Sequence, residues 1–262
     1  MIRMAGRLGQ WEQKRLQRKT EEAKGRGGVS ASLFLESEMN ALADAECFFF
    51  YGSRFWPKAL LTVFFPDEEQ AEITLAEFIP EKNAKKALFR CAIEACKRVA
   101  VEQVYTVRDP AYGFDLEGVE GVCFSHEWSE YMLGIGMEKL AAVKETIPGT
   151  ELKKEKAPEE DGTWRYVLLQ DGTETAECRI LATDGGTQCY LFGLETRPEF
   201  RRKGMATSLM AEIAKEYART KGAVLRLQVS SKNVPAESLY RKLGFVTEEE
   251  REYYRTEVSD GE

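Results

Sequence analysis

Apolar positions repeat along this chain with two periods, and the change from one to the other outlines its elements. From Lys203 to about Thr220, the residues Met205, Ala206, Leu209, Met210, Ile213, Ala214, Tyr217 and Ala218 recur at three- and four-residue intervals. They therefore share one face of a helix, which Gly222 is placed to close. Helical spacing also predicts helices at 33–46, Asn83–Ala100, 137–145 and Val234–Leu243. Short apolar or alternating runs predict strands at Cys47–Tyr51, Ala59–Phe65, Ala71–Ile79, Gln103–Val107 and Ser129–Ile135, and again at Trp164–Gln170, Glu174–Ala182, Thr187–Thr196, Val224–Val229 and Glu252–Thr256. Pro66-Asp67-Glu68-Glu69, Asp171-Gly172 and Asp184-Gly185-Gly186 supply turns between them. Strands interleaved with helices in both halves predict an α/β chain with a mixed sheet in each.

The two halves repeat. Laying Ala87 on Met205, an offset of 118, brings Ala87, Leu88, Cys91, Ala92, Ala95, Cys96, Val99 and Ala100 onto the eight apolar positions of the later helix, and Pro80-Glu81 onto Pro198-Glu199. An offset of 122 lays Val104–Val107 on Arg226–Val229 and Glu130-Tyr131 on Glu252-Tyr253. The conserved order of strand, Pro-Glu turn, helix and strands predicts a duplication. The expected organisation is a basic leader at 1–28, a first domain at 29–145 and a second at 146–262, divided near Pro148-Gly149 and the charged run Lys153–Gly162. The leader carries eight Lys and Arg residues against Glu12, Glu21 and Glu22, ends in Gly25-Arg26-Gly27-Gly28, and reads as a solvated helix followed by a hinge.

Composition narrows the classes of function. With 262 residues and 43% hydrophobic positions the chain can build real cores, and a net charge of −7 argues against a dedicated nucleic-acid binder. Against that acidic background the cluster Arg201-Arg202-Lys203 stands out. Cys47, Cys91, Cys96, Cys123, Cys178 and Cys189 form no C-x-x-C pair, so reduced thiols in a cytoplasmic protein are expected, with neither disulfides nor a metal site. No apolar run approaches the ~18 residues of a membrane span and no apolar signal core is evident, so no membrane partner is expected.

The candidate chemistry sits where the strand Cys189–Thr196 meets the helix at Met205. Arg201, Arg202 and Lys203 precede Gly204, which lets an anion approach the backbone at a helix N-terminus, where free N–H groups and the positive end of the dipole converge. The first half has Asn83-Ala-Lys-Lys-Ala-Leu88 at the matching offset, without a glycine, and reads as a scaffold. Downstream stand Leu225-Arg-Leu-Gln-Val-Ser-Ser-Lys-Asn233 and Ala236-Glu-Ser-Leu-Tyr-Arg-Lys-Leu-Gly-Phe245. Together with Arg201-x-x-Gly204-x-Ala206, these segments resemble the second half of the GNAT acetyltransferase superfamily, most clearly over 187–256 and more weakly over 46–135. The resemblance implies two acyl-CoA N-acyltransferase-like domains in tandem, the first degenerate.

It also implies roles for matched positions. Backbone groups of Arg202, Lys203, Gly204, Met205, Ala206 and Thr207, helped by the charge of Arg201, would hold the pyrophosphate of acetyl-CoA. Two strands would splay to admit the pantetheine arm along Cys189–Thr196, with a backbone N–H near Leu194 polarising the thioester carbonyl and Thr196 beside it. Asn233 would contact the cofactor or cap the next helix, and the Tyr240 hydroxyl would meet the departing thiolate. Some relatives that acetylate protein N-termini carry a glutamate where this chain has Gln228, so the base is sought elsewhere. Glu195 is the first choice, with Glu177 or a water chain as alternatives, and His126 reads as a surface residue. The implied reaction is direct, metal-free acetyl transfer from acetyl-CoA to a primary amine of a small molecule. A protein N-terminus or lysine as acceptor, and a non-catalytic acyl-CoA-binding module, are the alternatives.

Overall fold

A computed structural model of the chain describes residues 1–36, 40–42, 45–116, 119, 121–143, 147–157 and 162–258. The chain forms two compact units, Met1–Ser129 with the segment from Glu250 onward, and Glu130–Glu249. The boundary expected at 145/146 falls inside the second unit. The first division instead lies within a strand, because the apolar alternation of 129–135 continues an element that begins at Val122.

In the first unit the elements are β1 (Ile2–Ala5), α1 (Gln10–Lys24), β2 (Phe48–Gly52), β3 (Pro57–Phe64), β4 (Gln70–Glu77), α2 (Ala84–Arg98), β5 (Gln103–Arg108) and the start of β6 (Val122–Gly136). The second unit holds the end of β6, α3 (Met137–Ala141), β7 (Thr150–Lys156), β8 (Thr163–Gln170), β9 (Thr173–Thr183), β10 (Gln188–Thr196), α4 (Met205–Tyr217), β11 (Val224–Ser230), α5 (Val234–Lys242) and the start of β12 (Val246–Val258). The strand order is β1-β2-β3-β4-β5-β12 in the first and β6-β11-β10-β9-β8-β7 in the second. Each has one parallel pair, β4 with β5 and β10 with β11, and each such pair is joined through a helix because parallel strands need a crossover. The strand that completes each sheet comes from the other half of the sequence. Glu130–Gly136 of β6 pairs with β11, and Glu252–Arg255 of β12 pairs with β5.

The duplication holds, with a correction to its register. Ladder positions Gln70–Ile73 on β4 match Gln188–Leu191 on β10 at the expected offset of 118. The helices do not: buried Ala84, Leu88, Phe89, Ala92, Ile93 and Cys96 match buried Met205, Leu209, Met210, Ile213, Ala214 and Tyr217, an offset of 121. Because 3.6 residues make a turn, a shift of three nearly preserves the apolar face, and periodicity alone could not separate the two registers. The second copy thus has three more residues between strand and helix, and part of that excess is the bulge in β10 between Phe192 and Glu195.

Other expectations change too. The leader is not a solvated appendage. Its β1 pairs with β2, and Leu16 and Ala23 of α1 are fully buried in the first core. The described residues of 33–46 contain no helix, the remaining ones lying outside the described residues, as do 144 and 145 of the helix expected at 137–145. The run Lys153–Gly162, read as a linker, begins inside β7. That strand is mostly charged, as suits the outermost strand of its sheet, with only β8 beside it.

Candidate functional site

The second unit opens where β10 and β11 separate. Their ladder runs from Gln188↔Val224 to Leu191↔Leu227. Beyond it β10 bulges, with Gly193 at φ 61°, and bends away while β11 continues to Ser230. Below the gap lies a cavity of about 710 Å³. Leu194, Glu195, Thr196, Arg201, Arg202, Gly204, Met205, Ala206, Thr207, Asn233 and Tyr240 all line it, so the structure gathers nearly every site residue expected from the sequence. Lys203 is not among the lining residues. Its Nζ sits 5.5 Å from the centre of the Phe200 ring. Phe200, Pro235, Ala236 and Leu239 complete the wall. Sequence reasoning assigned them no role, although Ala236 and Leu239 belong to the Ala236–Phe245 motif, whose apolar spacing was the available signal.

The turn before α4 is shaped for an anion. Pro198–Phe200 forms a short 3-10 turn, and Arg201 Nε donates to the Thr196 carbonyl at 3.1 Å, folding the turn back on the strand end. Arg202 (φ 58°) and Gly204 (φ 81°) are both left-handed, and Gly204 is the N-cap of α4 with no side chain to satisfy the first N–H groups. Successive N–H groups in such a turn face a common point, with the helix dipole behind them. Ser208 is fully buried and its Oγ accepts from the Ile147 N–H at 3.3 Å, anchoring the first turn of the helix.

On the other wall, Asn233 caps α5 by accepting from the Ala236 N–H at 3.3 Å and also lines the cavity. Tyr240 is only 6% exposed, its ring 5.6 Å from that of Phe245. Burial pushes its phenol up to about 12, so it keeps its proton and is a hydrogen-bond donor throughout the physiological range. Of the carboxylates, Glu195 is exposed on β10 opposite Glu177 of β9. Glu177 is paired with Arg165. Gln228 on β11 donates to Glu130 of β6. Burial pushes the thiols of Cys178 and Cys189 up to about 12 and about 11, leaving them unreactive core residues.

The first unit has the same opening, filled from within. The β4–β5 ladder ends at Ile73↔Thr106, the position equivalent to Leu191↔Leu227. Past that point the segment Gly28–Ser30 lies against β4. Ser30 N donates to Leu75 O at 2.9 Å, Leu75 N to Ser30 Oγ at 2.9 Å, and Glu77 N to Gly28 O at 2.7 Å. On its far side Ser30 O accepts from Asp109 N, at the end of β5, at 2.6 Å. Val29 and Ser30 are fully buried, so the glycine-rich stretch read as a hinge feeds a segment that occupies the cleft. The N-cap of α2 is Asn83, left-handed at φ 71°. Asn83, and not the residue expected from the 118 offset, is the counterpart of Gly204. Between β5 and β6 the described residues form a short 3-10 turn at Pro110–Tyr112 where the second unit has α5. His126 is exposed and lies edge-on to Tyr254, in keeping with a surface role. No cluster of three or more metal-binding side chains occurs among the described residues.

Comparisons with known proteins agree with this geometry. The FR47-like protein family matches residues 168–255, which run from the end of β8 into β12. A tandem GNAT protein from the clavulanic acid biosynthesis pathway is similar over 100% of this chain and 99% of its own, with 11% identity and a TM-score of 0.65. A GCN5-related N-acetyltransferase from Sphaerobacter thermophilus is similar over 100% and 96%, with 14% identity and a TM-score of 0.60. A GNAT-family acetyltransferase from Colwellia psychrerythraea is similar over 98% and 100%, with 11% identity and a TM-score of 0.57. No curated protein matches the sequence. At such identities the likeness is one of fold. The chain has the fold of the tandem GNAT acetyltransferases, and residues 168–255 of its second half match the FR47-like family.

Proposed function

We propose that the chain is an N-acetyltransferase that binds one acetyl-CoA in the cleft of its second unit and passes the acetyl group to a primary amine of a small molecule. The observation that carries this reading is the pair of clefts. In the first unit the gap beyond the parallel ladder takes an extended, amide-bearing segment that hydrogen-bonds to β4. The equivalent gap in the second unit leads into a cavity of about 710 Å³ that ends at a helix N-terminus flanked by Arg201 and Arg202. Pantetheine is an extended chain with two amides, and it ends in a pyrophosphate. The strand edge suits the first part and the cradle at Arg202–Thr207 suits the second.

The chemistry follows from this placement. The thioester carbonyl, drawn up beside the bulge, would accept from a backbone N–H near Leu194 as negative charge develops on its oxygen. Amine attack forms the C–N bond and breaks the C–S bond. Negative charge also develops on the departing sulfur, and Tyr240, kept protonated by burial, is the hydrogen-bond donor on that wall that would stabilise it and shuttle a proton to it. Titration calorimetry with acetyl-CoA, followed by thiol release with a panel of small amines, tests the proposal. Binding near one equivalent per chain with turnover of at least one amine is expected. Binding without turnover on any small amine, N-terminal peptide or lysine peptide would favour an acyl-CoA-binding module, and turnover of peptides alone would move the acceptor to proteins.

A further inference from the structure

Resting on the acetyltransferase reading, we infer that Glu130, presented by Gln228 from the neighbouring strand, is the proton acceptor for the amine. The argument begins with the faces of the second sheet. Cys189, Leu191, Leu225, Leu227, Val229, Leu133 and Ile135 are buried against α4 and its neighbours. The alternate residues face the other way, because successive side chains on a strand point to opposite sides. Tyr190 and Phe192 on β10, 38% and 36% exposed, thus share the outer face with Arg226 and Gln228 on β11 and with Glu130 and Met132 on β6. With the cofactor cavity walled by α4 and α5 on the inner side, an amine must reach the acetyl carbon from this outer face.

The register then selects the carboxylate. Leu191↔Leu227 is the last β10–β11 pair, so Gln228 is the first β11 residue beside the opening. On its other edge β11 pairs with β6, Gln228 opposite Met132 and Ser230 opposite Glu130. From there the Glu130 side chain returns along the strand and accepts a hydrogen bond from the Gln228 amide. Because Gln228 borders the opening, a carboxylate held by its amide stands roughly one strand spacing of ~4.8 Å from the gap, a separation that one water can bridge to the amine. Glu195 sits on the opposite lip. It lines the edge of the cofactor cavity and also borders a small cavity of about 190 Å³ with Glu174, Glu177 and Arg197 on the β9 side of β10. The strand that carries Glu130 begins at Val122, and Glu130 is its first residue in the second unit.

The proton balance is simple. The acceptor ammonium gives one proton to Glu130, and the free amine nitrogen attacks the thioester carbon. As the C–S bond breaks, sulfur takes a proton from Tyr240, the second nitrogen proton returns to Tyr240 through water, and Glu130 releases its own to solvent. One ammonium and one acetyl-CoA thus yield one amide, one free thiol of CoA and one proton.

The full chain serves for the test, with an amine found to turn over in the panel above. Glu130→Gln should lower kcat by about 100-fold while leaving the acetyl-CoA dissociation constant and the melting temperature near those of the parent. The double variant Glu130→Gln/Gln228→Glu keeps the amide–carboxylate pair but moves the charge to β11, and should recover at least tenfold of that loss. A purely structural pair would not show this rescue. Glu130→Gln within threefold of parental kcat, or a large loss that the double variant does not recover, overturns the inference while leaving the acetyltransferase reading intact. Absence of turnover by the parent on the whole panel overturns both.

Discussion

The two copies of the strand–turn–helix differ less in their framework than in what lies in the gap between their parallel strands. Both have a four-pair ladder that ends at equivalent positions, and both start the helix from a left-handed residue, Asn83 at φ 71° and Gly204 at φ 81°. The first copy runs straight from β4 into its turn, and Gly28–Ser30 completes the hydrogen bonding of the strand edge. The second copy adds three residues, spends part of them on a bulge, and leaves a cavity of about 710 Å³. Backbone groups on a separated strand must find partners, so a copy that gives up its ligand needs a substitute from its own chain. Degeneration here is therefore more than loss of a glycine. On the proposed reading, a segment of the chain itself takes the place in the first copy that the ligand takes in the second.

The contrast is sharpest at α5, which the first copy lacks among its described residues. Tyr240→Phe keeps the ring against Phe245 and removes only the hydroxyl. Turnover should fall by about 100-fold with acetyl-CoA affinity within a factor of two, measured by thiol release and calorimetry. Because burial raises the phenol to about 12, its donor form persists as pH rises, and loss of turnover begins only as pH nears that value if Tyr240 is the limiting group. A basic limb several units lower that vanishes in Tyr240→Phe would show that the phenol titrates earlier than its burial allows.

At the cradle, Gly204→Val places a β-branched side chain at φ 81°. A Cβ there has room, its nearest neighbour being Ile147 Cδ1 at 3.7 Å, so the penalty comes from the backbone conformation and from crowding of the anion path. Acetyl-CoA affinity should weaken by about 5- to 30-fold, consistent with a conformational cost of about 1–2 kcal/mol. Unchanged affinity would mean that the pyrophosphate does not sit on this turn.

The filled cleft can be challenged directly. Ser30 is fully buried and both its N–H and its Oγ engage Leu75. Ser30→Ala leaves the Leu75 N–H without its partner, and should cost about 1–2 kcal/mol in chemical denaturation of the whole chain. Affinity for acetyl-CoA should not change, since the second unit supplies its own cleft. A drop in affinity would contradict the assignment of the two clefts to separate roles.

Much of this was legible in the sequence, for identifiable reasons. The helix faces of α2 and α4, the strands around them and the Arg201–Gly204 turn follow from local spacing and turn chemistry. Those are properties of neighbouring residues. Only four residues of Ile2-Arg-Met-Ala5 form β1, and seven charged or polar-rich residues from Thr150 form β7. Neither has the apolar alternation of an inner strand, since each lies at the outer end of a sheet. Gly28-Val29-Ser30 carries no periodic signal at all, and its burial depends on a cleft made by residues 40 and more positions away. Glu130 was equally hidden, because the pairing of β6 with β11 joins residues about 100 positions apart.

The smallest expected effect is at Asn83, and it tests which feature makes the first copy silent. Sequence alone blames the missing glycine, whereas the structure shows the left-handed N-cap already in place at φ 71° and the cleft occupied by Gly28–Ser30. Asn83→Gly removes the strain of a side chain in that conformation but adds freedom to the unfolded chain. These opposing terms, each of order 1 kcal/mol, should leave stability within about 0.5 kcal/mol of the parent. Calorimetric stoichiometry should remain at one acetyl-CoA per chain, because a restored glycine does not displace a hydrogen-bonded peptide from the gap. A second equivalent binding to Asn83→Gly would mean that the segment yields to the ligand, and that the two copies differ by their N-cap residue after all.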